Sequence, residues 1–580
     1  MTKGDEYAYE NKPDGIYVVV GPPGTGKTTF LSKQINRAVA KFGGSGVLVT
    51  SFTRAAAVEL TTRDLPLEAE QVATLHAHAF RSIGKPRLVE TDKELLAAWN
   101  EEYPQYAIGG SKNDLDDPYA DDIAKEIDDY GQGDELLSAY QLIRARCQDV
   151  RLHPVVAGFA RLWEQFKKST NSIDFTDMID RAYRDVLYAP GRPDVIFVDE
   201  AQDLTTLESK LAYKWGNSAT HLIVAGDDRQ CIYSFKGANP DVFFSDKIPT
   251  DRRFVLPQSY RVPVAVQNVA NKWVAGLSKL SPQEYRARVD DEGKPVMGNA
   301  KWLGDSNFQD MRKALTDAEK YIVEGKKVMF LASCAYMLNP LKAELRERGL
   351  LFHNEYRIKR GDWNPLGRGR GVAALLAYFA PRMRGNPRLE DNLDGWKRLM
   401  SLDLWDNTEL ENWLSQMSVS KFLKRGAKRK VEAIFDTGED IDFDKRITGG
   451  QWADLLLDER DVMQSVNGHI GWFLRNVQKT NYKKYEYLCQ VIYKQRRPEV
   501  LQKPPLITIG TIHSVKGGQS DVVYVIPDLS RRGYDNWIAQ DTRDEVIRQF
   551  YVAMTRARDT LVILNPGSDY YVQGLHKYLW

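Results

Sequence analysis

Nine consecutive residues near the start of the chain have the composition of a phosphate-binding loop. They are Gly21, Pro22, Pro23, Gly24, Thr25, Gly26, Lys27, Thr28 and Thr29. Glycines at the first, fourth and sixth positions let backbone N–H groups approach a phosphate that side chains would otherwise block. Lys27 has the length to reach the β- and γ-phosphates of a nucleoside triphosphate, and the Thr28 hydroxyl is a ligand suited to Mg²⁺.

The flanking segments supply the context that such a loop needs. Ile16 to Val20 has the β-branched composition of a buried strand, and FLSKQINRAVAKF after the loop has apolar residues at helical spacing. The helix would add its positive N-terminal end to the site. The alternative is a glycine turn beside a stray lysine, which this context disfavours. The chain is therefore predicted to bind a nucleoside triphosphate.

A second apolar run, Val195 to Val198, ends in the carboxylates Asp199 and Glu200. In an open α/β sheet the carboxyl ends of the strands lie at one edge, so these side chains are expected to face the loop. Asp199 is then a candidate Mg²⁺ residue, and Glu200 a candidate base that orients and deprotonates water. The alternative is a pair of surface carboxylates in a turn.

A further apolar run, predicted to be a strand, begins at His221. The polar segment that follows it contains Gln230 and then Tyr233 and Phe235. An amide beside a γ-phosphate can sense that group, and a nearby aromatic ring can stack on a nucleobase for about 1–3 kcal/mol. Read alone, the two rings are more often core residues. Arg261 and Arg556 are candidate contacts to the γ-phosphate, since a guanidinium can neutralise charge during phosphoryl transfer.

Length and composition limit the class of protein. A chain of 580 residues needs several domains, and 80 basic against 79 acidic residues argue against a protein that coats nucleic acid through bulk charge. No apolar run approaches the roughly 18 residues of a membrane span. The polar N-terminus lacks a signal peptide, so a cytoplasmic location is expected. The four cysteines form no C-x-x-C pair and are expected to be reduced, mostly buried thiols.

The complete set of motifs resembles the motor motifs of UvrD/Rep-type superfamily 1 helicases. In chain order they read GPPGTGKTT, SFTRAAAVEL, TLHAHAF, VDEAQD, GDDRQCIYSFKGA, QSYR, GTIHSVKGG and YVAMTRAR. The resemblance implies an α/β fold with two RecA-like P-loop motor domains, each with a mainly helical inserted subdomain. The first motor domain is expected to comprise 1–84 and 172–264, with 85–171 as its insertion. The second is expected to comprise 265–366 and 501–580, with 367–500 as its insertion. Helix-like, polar sequence in both insertion ranges agrees with this division.

The resemblance also assigns residues. It makes Gln230 the γ-phosphate sensor, and Arg261 and Arg556 the arginines that clamp this phosphate. Tyr260 is expected to stack on the adenine. The side chains expected to contact DNA are Phe52, Arg54, His76, Phe235 and His513. Two departures stand out: no glutamine that would read adenine precedes Gly21, and Gln519 replaces a carboxylate that normally contacts the nucleotide sugar or couples the motor domains.

The expected activity is ATP-dependent, Mg²⁺-dependent DNA unwinding, with movement on single strands typically 3′ to 5′. Single-stranded DNA and its junctions with duplex are the expected substrates, and proteins of repair, replication or recombination are candidate partners. A monomer is expected, with oligomers left open. Two alternatives remain: a translocase that displaces proteins without unwinding, and a non-motor ATPase subunit that senses nucleic acid within a larger complex.

Overall fold

The computed structural model describes residues 15–52, 65–109, 131–240, 243, 248–358, 360–366, 370–379, 397, 399–435, 445–458 and 460–579. Predicted site residue Arg54 and most of the acid-rich segment 114–135 lie outside these ranges. The chain forms two compact units. The first holds Met1–Phe308, Met329–Met337 and Gly510–Trp580, and the second holds Gln309–Val328 and Leu338–Ile509. The predicted division into four domains stays a prediction.

Strands and helices alternate along most of the chain. The strands are β1 (Gly15–Val20), β2 (Val47–Ser51), β3 (Val72–Thr74), β4 (Arg87–Leu88), β5 (Ser172–Ile173), β6 (Val195–Asp199), β7 (His221–Gly226), β8 (Arg253–Val255), β9 (Asn299–Leu303), β10 (Val328–Ala332), β11 (Phe352–His353), β12 (Asp403–Asp406), β13 (Arg446–Thr448), β14 (Ile507–Thr511), β15 (Ser520–Val525) and β16 (Ala557–Leu564).

The longer helices follow the same order. They are α1 (Lys27–Phe42), α2 (Leu75–Ser82), α3 (Lys93–Glu102), α4 (Gln132–Ala145), α5 (Pro154–Ser169), α6 (Phe175–Asp185), α7 (Thr206–Gly216), α8 (Val264–Val274), α9 (Arg312–Val323), α10 (Asn339–Arg348), α11 (Arg370–Phe379), α12 (Asn407–Leu414), α13 (Ala427–Phe435), α14 (Gly449–Leu455), α15 (Arg460–Val466), α16 (Ile470–Asn476), α17 (Tyr482–Gln495), α18 (Arg531–Ile538) and α19 (Arg543–Met554). Among the described residues, no helix is long and apolar enough to cross a membrane.

The first unit contains a six-stranded sheet in the order β3-β2-β6-β7-β1-β8. Its neighbouring strands are parallel. Both faces are covered, because alternate residues of β1 enter different cores: Val18 packs with the cluster around Trp215, and Val19 packs with Leu31 and Ile35 of α1. Parallel strands buried on both sides are apolar throughout, which explains their strong sequence signal. The predicted α/β class is confirmed.

The same unit contains β10, β15, β16 and β9 side by side in that order. β15 pairs with β16 and β16 with β9, both parallel. This second parallel arrangement carries the last motifs of the sequence, since α19 leads into β16 through Thr555 and Arg556. The expected second RecA-like sheet is therefore present. The chain passes between the two units at four points: after Phe308, within β10, after Met337 and within β14.

The predicted first insertion is helical where it is described, with α3, α4 and α5 around an aromatic core. Trp99 and Trp163 are fully buried, and their ring centroids lie 4.8 Å apart at 89°. Phe159 and Phe166 complete this core. Such edge-to-face pairs add about 0.5–1.5 kcal/mol each beyond their burial. The insertion therefore has a hydrophobic core of its own.

The second unit has helices α11 to α17 and the antiparallel pair β12 and β13. Four of its tryptophans are core residues: Trp405, Trp413, Trp452 and Trp472 are fully buried. The helical character predicted for 367–500 is thus confirmed where the chain is described. Arg357 in this unit is buried, and its guanidinium donates to the Tyr356 carbonyl at 2.9 Å.

Candidate functional site

The loop Gly21–Thr29 follows β1 at the carboxyl edge of the first sheet, and two left-handed glycines set its shape. Gly24 and Gly26 have φ angles of 75° and 76°. A Cβ atom at Gly24 would lie 2.4 Å from Cβ of Arg261, so a side chain cannot be placed there. The Gly21 N–H donates to the Gly226 carbonyl at 2.9 Å, which ties the loop to the end of β7. The segment is therefore a tight glycine turn at the edge of the sheet, and phosphate binding by it stays a prediction.

Lys27 is the first residue of α1, and its ammonium group faces carboxylates. The Lys27 Nζ atom lies 3.6 Å from Oε1 of Glu200. Burial alone would lower the pKa of Lys27, but Glu200, Asp227, Asp199 and Asp203 outweigh it and raise that pKa above its ordinary value. Lys27 is therefore charged at neutral pH, as a ligand for a triphosphate must be.

Glu200 has a left-handed backbone, with φ of 52°, directly after the end of β6. A non-glycine residue in this region costs roughly 1–3 kcal/mol, and such strain is concentrated at functional sites. Asp199 stabilises the turn, because its Oδ1 accepts the Glu200 N–H at 2.9 Å. The Gln202 amide donates to Oε2 of Glu200. The turn thus aims the Glu200 side chain at the lysine of the loop.

Glu200 is negatively charged, so its carboxylate can accept a hydrogen bond or a proton from water. Burial would raise its pKa, but the cations Lys27 and Lys516 outweigh that effect and lower it to about 2. Glu200 is consequently ionised at neutral pH. The carboxylate of Asp199 and the Thr28 hydroxyl are hard oxygen donors of the kind that Mg²⁺ prefers. This donor set fits the predicted metal, with Lys27 beside it for the phosphates.

Another group of carboxylates, outside this site, has the spacing of a metal centre but is filled by cations of the chain. Ligand oxygens of Glu164, Asp174 and Asp177 lie within 4.8 Å of one another. The Lys167 Nζ atom lies 2.7 Å from Asp174 and 2.5 Å from Asp177, and Arg144 bonds to both residues. We interpret this group as a buried ion-pair network at the base of the first insertion.

Gln230 and Arg556 meet directly, although 326 residues separate them in sequence. The Arg556 Nη2 group donates to Oε1 of Gln230 at 2.9 Å. The Gln230 amide nitrogen donates to Oδ2 of Asp227 at 2.8 Å, so both ends of the amide are held. Arg556 is 1% exposed, and its Nε also donates to the Val552 carbonyl at 2.9 Å. The structure thus joins the predicted sensor to one predicted clamp.

Arg261 lies against the loop, next to Gly24. Its Nε donates to Oε1 of Gln519 at 3.0 Å, so the amide that replaces the expected carboxylate still contacts an arginine. The Tyr260 N–H donates to the Gly24 carbonyl at 2.7 Å. The Tyr260 side chain is 69% exposed, and its ring lies 3.8 Å from the position of a Cβ on Gly26. The exposed ring beside the loop is available for stacking, and its contact with adenine stays a prediction.

Four rings form an aromatic cluster beside the sensor loop: Phe52, Tyr233, Phe235 and His513. The centroid of Tyr233 is 5.2 Å from Phe52, and that of Phe235 is 5.4 Å from His513. Tyr233 is buried, whereas Phe235 is 39% exposed. The general expectation that both rings are core is therefore right for Tyr233 and wrong for Phe235. The structure brings together three of the five residues predicted to contact DNA.

His76 has a different setting. It lies at the start of α2, where its Nδ1 is 3.2 Å from Oε1 of the buried Glu208. Burial would raise the pKa of Glu208, but the contact with His76 outweighs it and lowers that pKa. The imidazole is partly exposed and has a carboxylate partner. Its role in DNA binding stays a prediction.

The sequence analysis missed an ion pair that connects two motifs. Lys516 donates to Oδ2 of Asp203 and, at 3.2 Å, to the Gln230 carbonyl. Its Nζ also lies 4.9 Å from the centroid of Tyr233. Burial raises the pKa of Asp203 to about 7 despite Lys516. Asp203 lies in the motif VDEAQD and Lys516 in the motif GTIHSVKGG. The opposite charges of the two residues are the signal from which their pairing could have been predicted.

The cysteines require a correction. All four are free, but only Cys231 and Cys489 are buried, whereas Cys334 is partly exposed and Cys147 is exposed. Cys147 also has a left-handed backbone, with φ of 57°, just after the end of α4. Its position in a helix-terminating turn, rather than in a core, accounts for its exposure.

Comparison with known proteins decides the family. Residues 1–249 match the UvrD/REP helicase N-terminal domain, and residues 473–565 match the UvrD-like helicase C-terminal domain, together more than half of the chain. The chain belongs to the UvrD/Rep helicase family. Lys27, Glu200 and Gln230 fall within the first match, and His513 and Arg556 within the second.

Relatives of this UvrD/Rep-family chain carry corresponding names. The probable DNA helicase II homolog of Mycoplasma genitalium is 22% identical, over 95% of this chain and 82% of the relative. The ATP-dependent DNA helicase UvrD2 of Mycobacterium tuberculosis (strain ATCC 25618 / H37Rv) is 27% identical over 49% of this chain and 45% of its own length. The ATP-dependent DNA helicase PcrA of Staphylococcus epidermidis is 24% identical over 47% of this chain and 39% of its own length.

Proposed function

We propose that this DNA helicase is an ATP-driven motor that moves 3′ to 5′ along single-stranded DNA and separates the duplex at a junction. The observation that carries the proposal is the hydrogen bond between Arg556 and Gln230. It links the last α/β segment of the chain to the loop that continues into the aromatic cluster. A change at the γ-phosphate would therefore reach both a distant segment and the rings beside it.

At the proposed nucleotide site, different charged and polar side chains have different roles in ATP hydrolysis. Lys27 neutralises phosphate oxygens, and Glu200, ionised at neutral pH, orients and deprotonates the attacking water. Thr28 and Asp199 would hold Mg²⁺, which would neutralise charge on the phosphates. Arg261 and Arg556 would contact the γ-phosphate and stabilise the charge that spreads over its oxygens.

On the DNA side, Phe235 offers an exposed ring five residues after Gln230. The intervening Tyr233 is fixed by burial and by Lys516, whose ammonium group also contacts the Gln230 carbonyl. Stacking of a base on Phe235 is thereby coupled to the sensor loop through a short, well-packed segment. This coupling favours a motor over an ATPase that uses nucleotide binding only as a switch.

The test compares ATP hydrolysis with single-stranded DNA, double-stranded DNA and RNA, followed by unwinding of duplexes with 3′ or 5′ tails. We expect hydrolysis to be stimulated most by single-stranded DNA, and unwinding to need a 3′ tail and Mg²⁺. A preference for 5′ tails would contradict the polarity. Displacement of a bound protein from a single strand without any unwinding would favour the translocase alternative.

Replacement of Phe235 by alanine is expected to uncouple the motor. Loss of about 1–3 kcal/mol of base stacking should lower the unwinding rate roughly tenfold or more, while DNA-stimulated ATP hydrolysis stays within about threefold. Unwinding and hydrolysis are measured on the same 3′-tailed duplex. Tyr188→Ala, which removes a ring of similar exposure at 41%, is the control and should change neither rate. Normal unwinding by Phe235→Ala would contradict this role.

A further inference from the structure

A short segment outside the helices and strands, Ser281 to Tyr285, contacts the proposed nucleotide site although it belongs to none of the recognised motifs. Its side chains alternate: Ser281 is buried, Pro282 and Glu284 are exposed, and Gln283 and Tyr285 are half-buried. This alternation places residues 281, 283 and 285 on the inner side of the segment. We call this segment the strap. Its inward side chains are all polar.

One end of the strap is fastened to the sensor loop, Asp227 to Gln230. The Ser281 hydroxyl donates to Oδ1 of Asp228, and the Arg229 Nη2 group donates to the Ser281 carbonyl at 3.0 Å. Next along the strap, the Gln283 amide approaches Oδ1 of Asp227 at 3.4 Å. Asp227 is the residue that orients the Gln230 amide. The strap therefore touches the partner of the γ-phosphate sensor.

The other end is fastened to the phosphate loop. The Tyr285 hydroxyl donates to the Pro23 carbonyl at 2.9 Å, and the Ser259 hydroxyl donates to the same oxygen at 2.9 Å. Burial raises the pKa of the Tyr285 phenol, which keeps the proton that makes this bond. The strap backbone is held in turn, because the Gln267 amide donates to the Tyr285 carbonyl at 3.0 Å.

Holding the Pro23 carbonyl also fixes the next backbone donor. A trans peptide is planar, so its C=O and N–H groups point in opposite directions. With the Pro23 oxygen bound by two hydroxyls on one side, the Gly24 N–H must point to the other. Gly24 is a left-handed residue that could otherwise rotate easily. Tyr285 and Ser259 therefore hold one N–H of the phosphate loop in a single orientation.

The two ends of the strap differ in how completely they are bonded. At the phosphate loop, two donors share one acceptor. Near the sensor loop, four buried polar atoms have no hydrogen-bond partner among the described residues: Oδ2 of Asp228, Nε of Arg229, Oε1 of Gln283 and the Tyr551 hydroxyl. The strap is nevertheless attached at both ends, to the phosphate loop through Tyr285 and to the sensor loop through Ser281.

We propose that the strap is a positioning element that sets the phosphate loop through Tyr285 and the sensor loop through Ser281, so that nucleotide binding and γ-phosphate sensing are coupled by one segment. This inference rests on the proposed ATPase site. Neither residue touches the nucleotide in this role. Tyr285 acts through the orientation of the Gly24 N–H, and Ser281 acts through Asp228 and Arg229.

The test separates affinity from turnover. Tyr285→Phe removes one hydroxyl, and we expect it to raise the KM for ATP and the Kd for ADP about five- to tenfold, the worth of one hydrogen bond, with kcat within twofold. Ser281→Ala is expected to lower kcat severalfold with KM nearly unchanged. Steady-state hydrolysis with single-stranded DNA gives KM and kcat, calorimetry gives the Kd, and thermal unfolding without nucleotide should match the parent for both variants.

Tyr213→Phe is the matched control, because the Tyr213 hydroxyl makes no hydrogen bond within the described part of the chain. It should leave KM and kcat at the parental values. An unchanged KM in Tyr285→Phe, or parallel changes of KM and kcat in both strap variants, would overturn the inference. These outcomes leave the ATPase assignment intact as long as Lys27→Ala is inactive; a fully active Lys27→Ala would instead remove the assignment on which the strap depends.

Discussion

Arg556→Lys is expected to lower kcat for DNA-stimulated ATP hydrolysis by about a thousandfold, because an arginine that stabilises the γ-phosphate in the transition state is worth about 10³–10⁵ in rate. Lysine keeps the charge but not the geometry. Arg556 uses three different nitrogens for Gln230, Val552 and Gly518. An ammonium group cannot replace this planar arrangement. The KM for ATP should change only a few fold.

The control for this substitution is Arg558→Lys, two residues later on β16, which alters an arginine that we place outside the site. Its kcat should equal that of the parent. Thermal unfolding of Arg556→Lys identifies any loss that comes from its burial and not from catalysis. Retention of more than about a tenth of the parental kcat would exclude Arg556 from the transition state.

Lys27→Ala is expected to reduce ATP hydrolysis by at least about a hundredfold, comparable to the loss of one preorganised electrostatic contact to the reacting group. Loss of the ammonium group also removes the largest of the attractive contacts that lower the pKa of Glu200. That pKa should rise toward its ordinary value, which makes Glu200 a group that titrates in mild acid. Hydrolysis is measured with saturating single-stranded DNA.

Lys33→Ala is the matched control, since Lys33 lies on the same helix but is exposed. It should hydrolyse ATP at the parental rate. Binding of single-stranded DNA by Lys27→Ala should persist, because the aromatic cluster is intact. Full DNA-stimulated hydrolysis by Lys27→Ala would refute the assignment of the phosphate loop.

Local chemistry explains which parts of the fold and the site were predictable. The phosphate loop, the strand before it and the carboxylates after β6 are contiguous in sequence, and strands buried on both faces give continuous apolar runs. Gly15–Val20 and Val195–Asp199 therefore have nearly the predicted bounds. The pairing of Gln230 with Arg556 depends on tertiary packing, and only the resemblance to a family indicated it.

The strap lay beyond prediction for a physical reason. Ser281, Gln283 and Tyr285 alternate with exposed residues, but the segment is polar on both sides and so has no apolar periodicity to read. Its function depends on a carbonyl of Pro23, and a backbone acceptor has no sequence signal. The different burial of Tyr233 and Phe235 could not be predicted from the local sequence either. It depends on neighbours that are distant in sequence, such as Phe52 and His513.

The exposed thiol of Cys147 has a practical consequence for observing the motor. The preceding residue, Arg146, donates to the Ser234 carbonyl at 3.0 Å, immediately beside Phe235. Cys231 and Cys489 are buried, so a maleimide dye should react chiefly at Cys147, with Cys334→Ser removing the partly exposed competitor. The native chain thus carries an attachment point for a fluorophore next to the ring on which we expect DNA to stack. Changes in emission during turnover would follow that surface without an introduced cysteine.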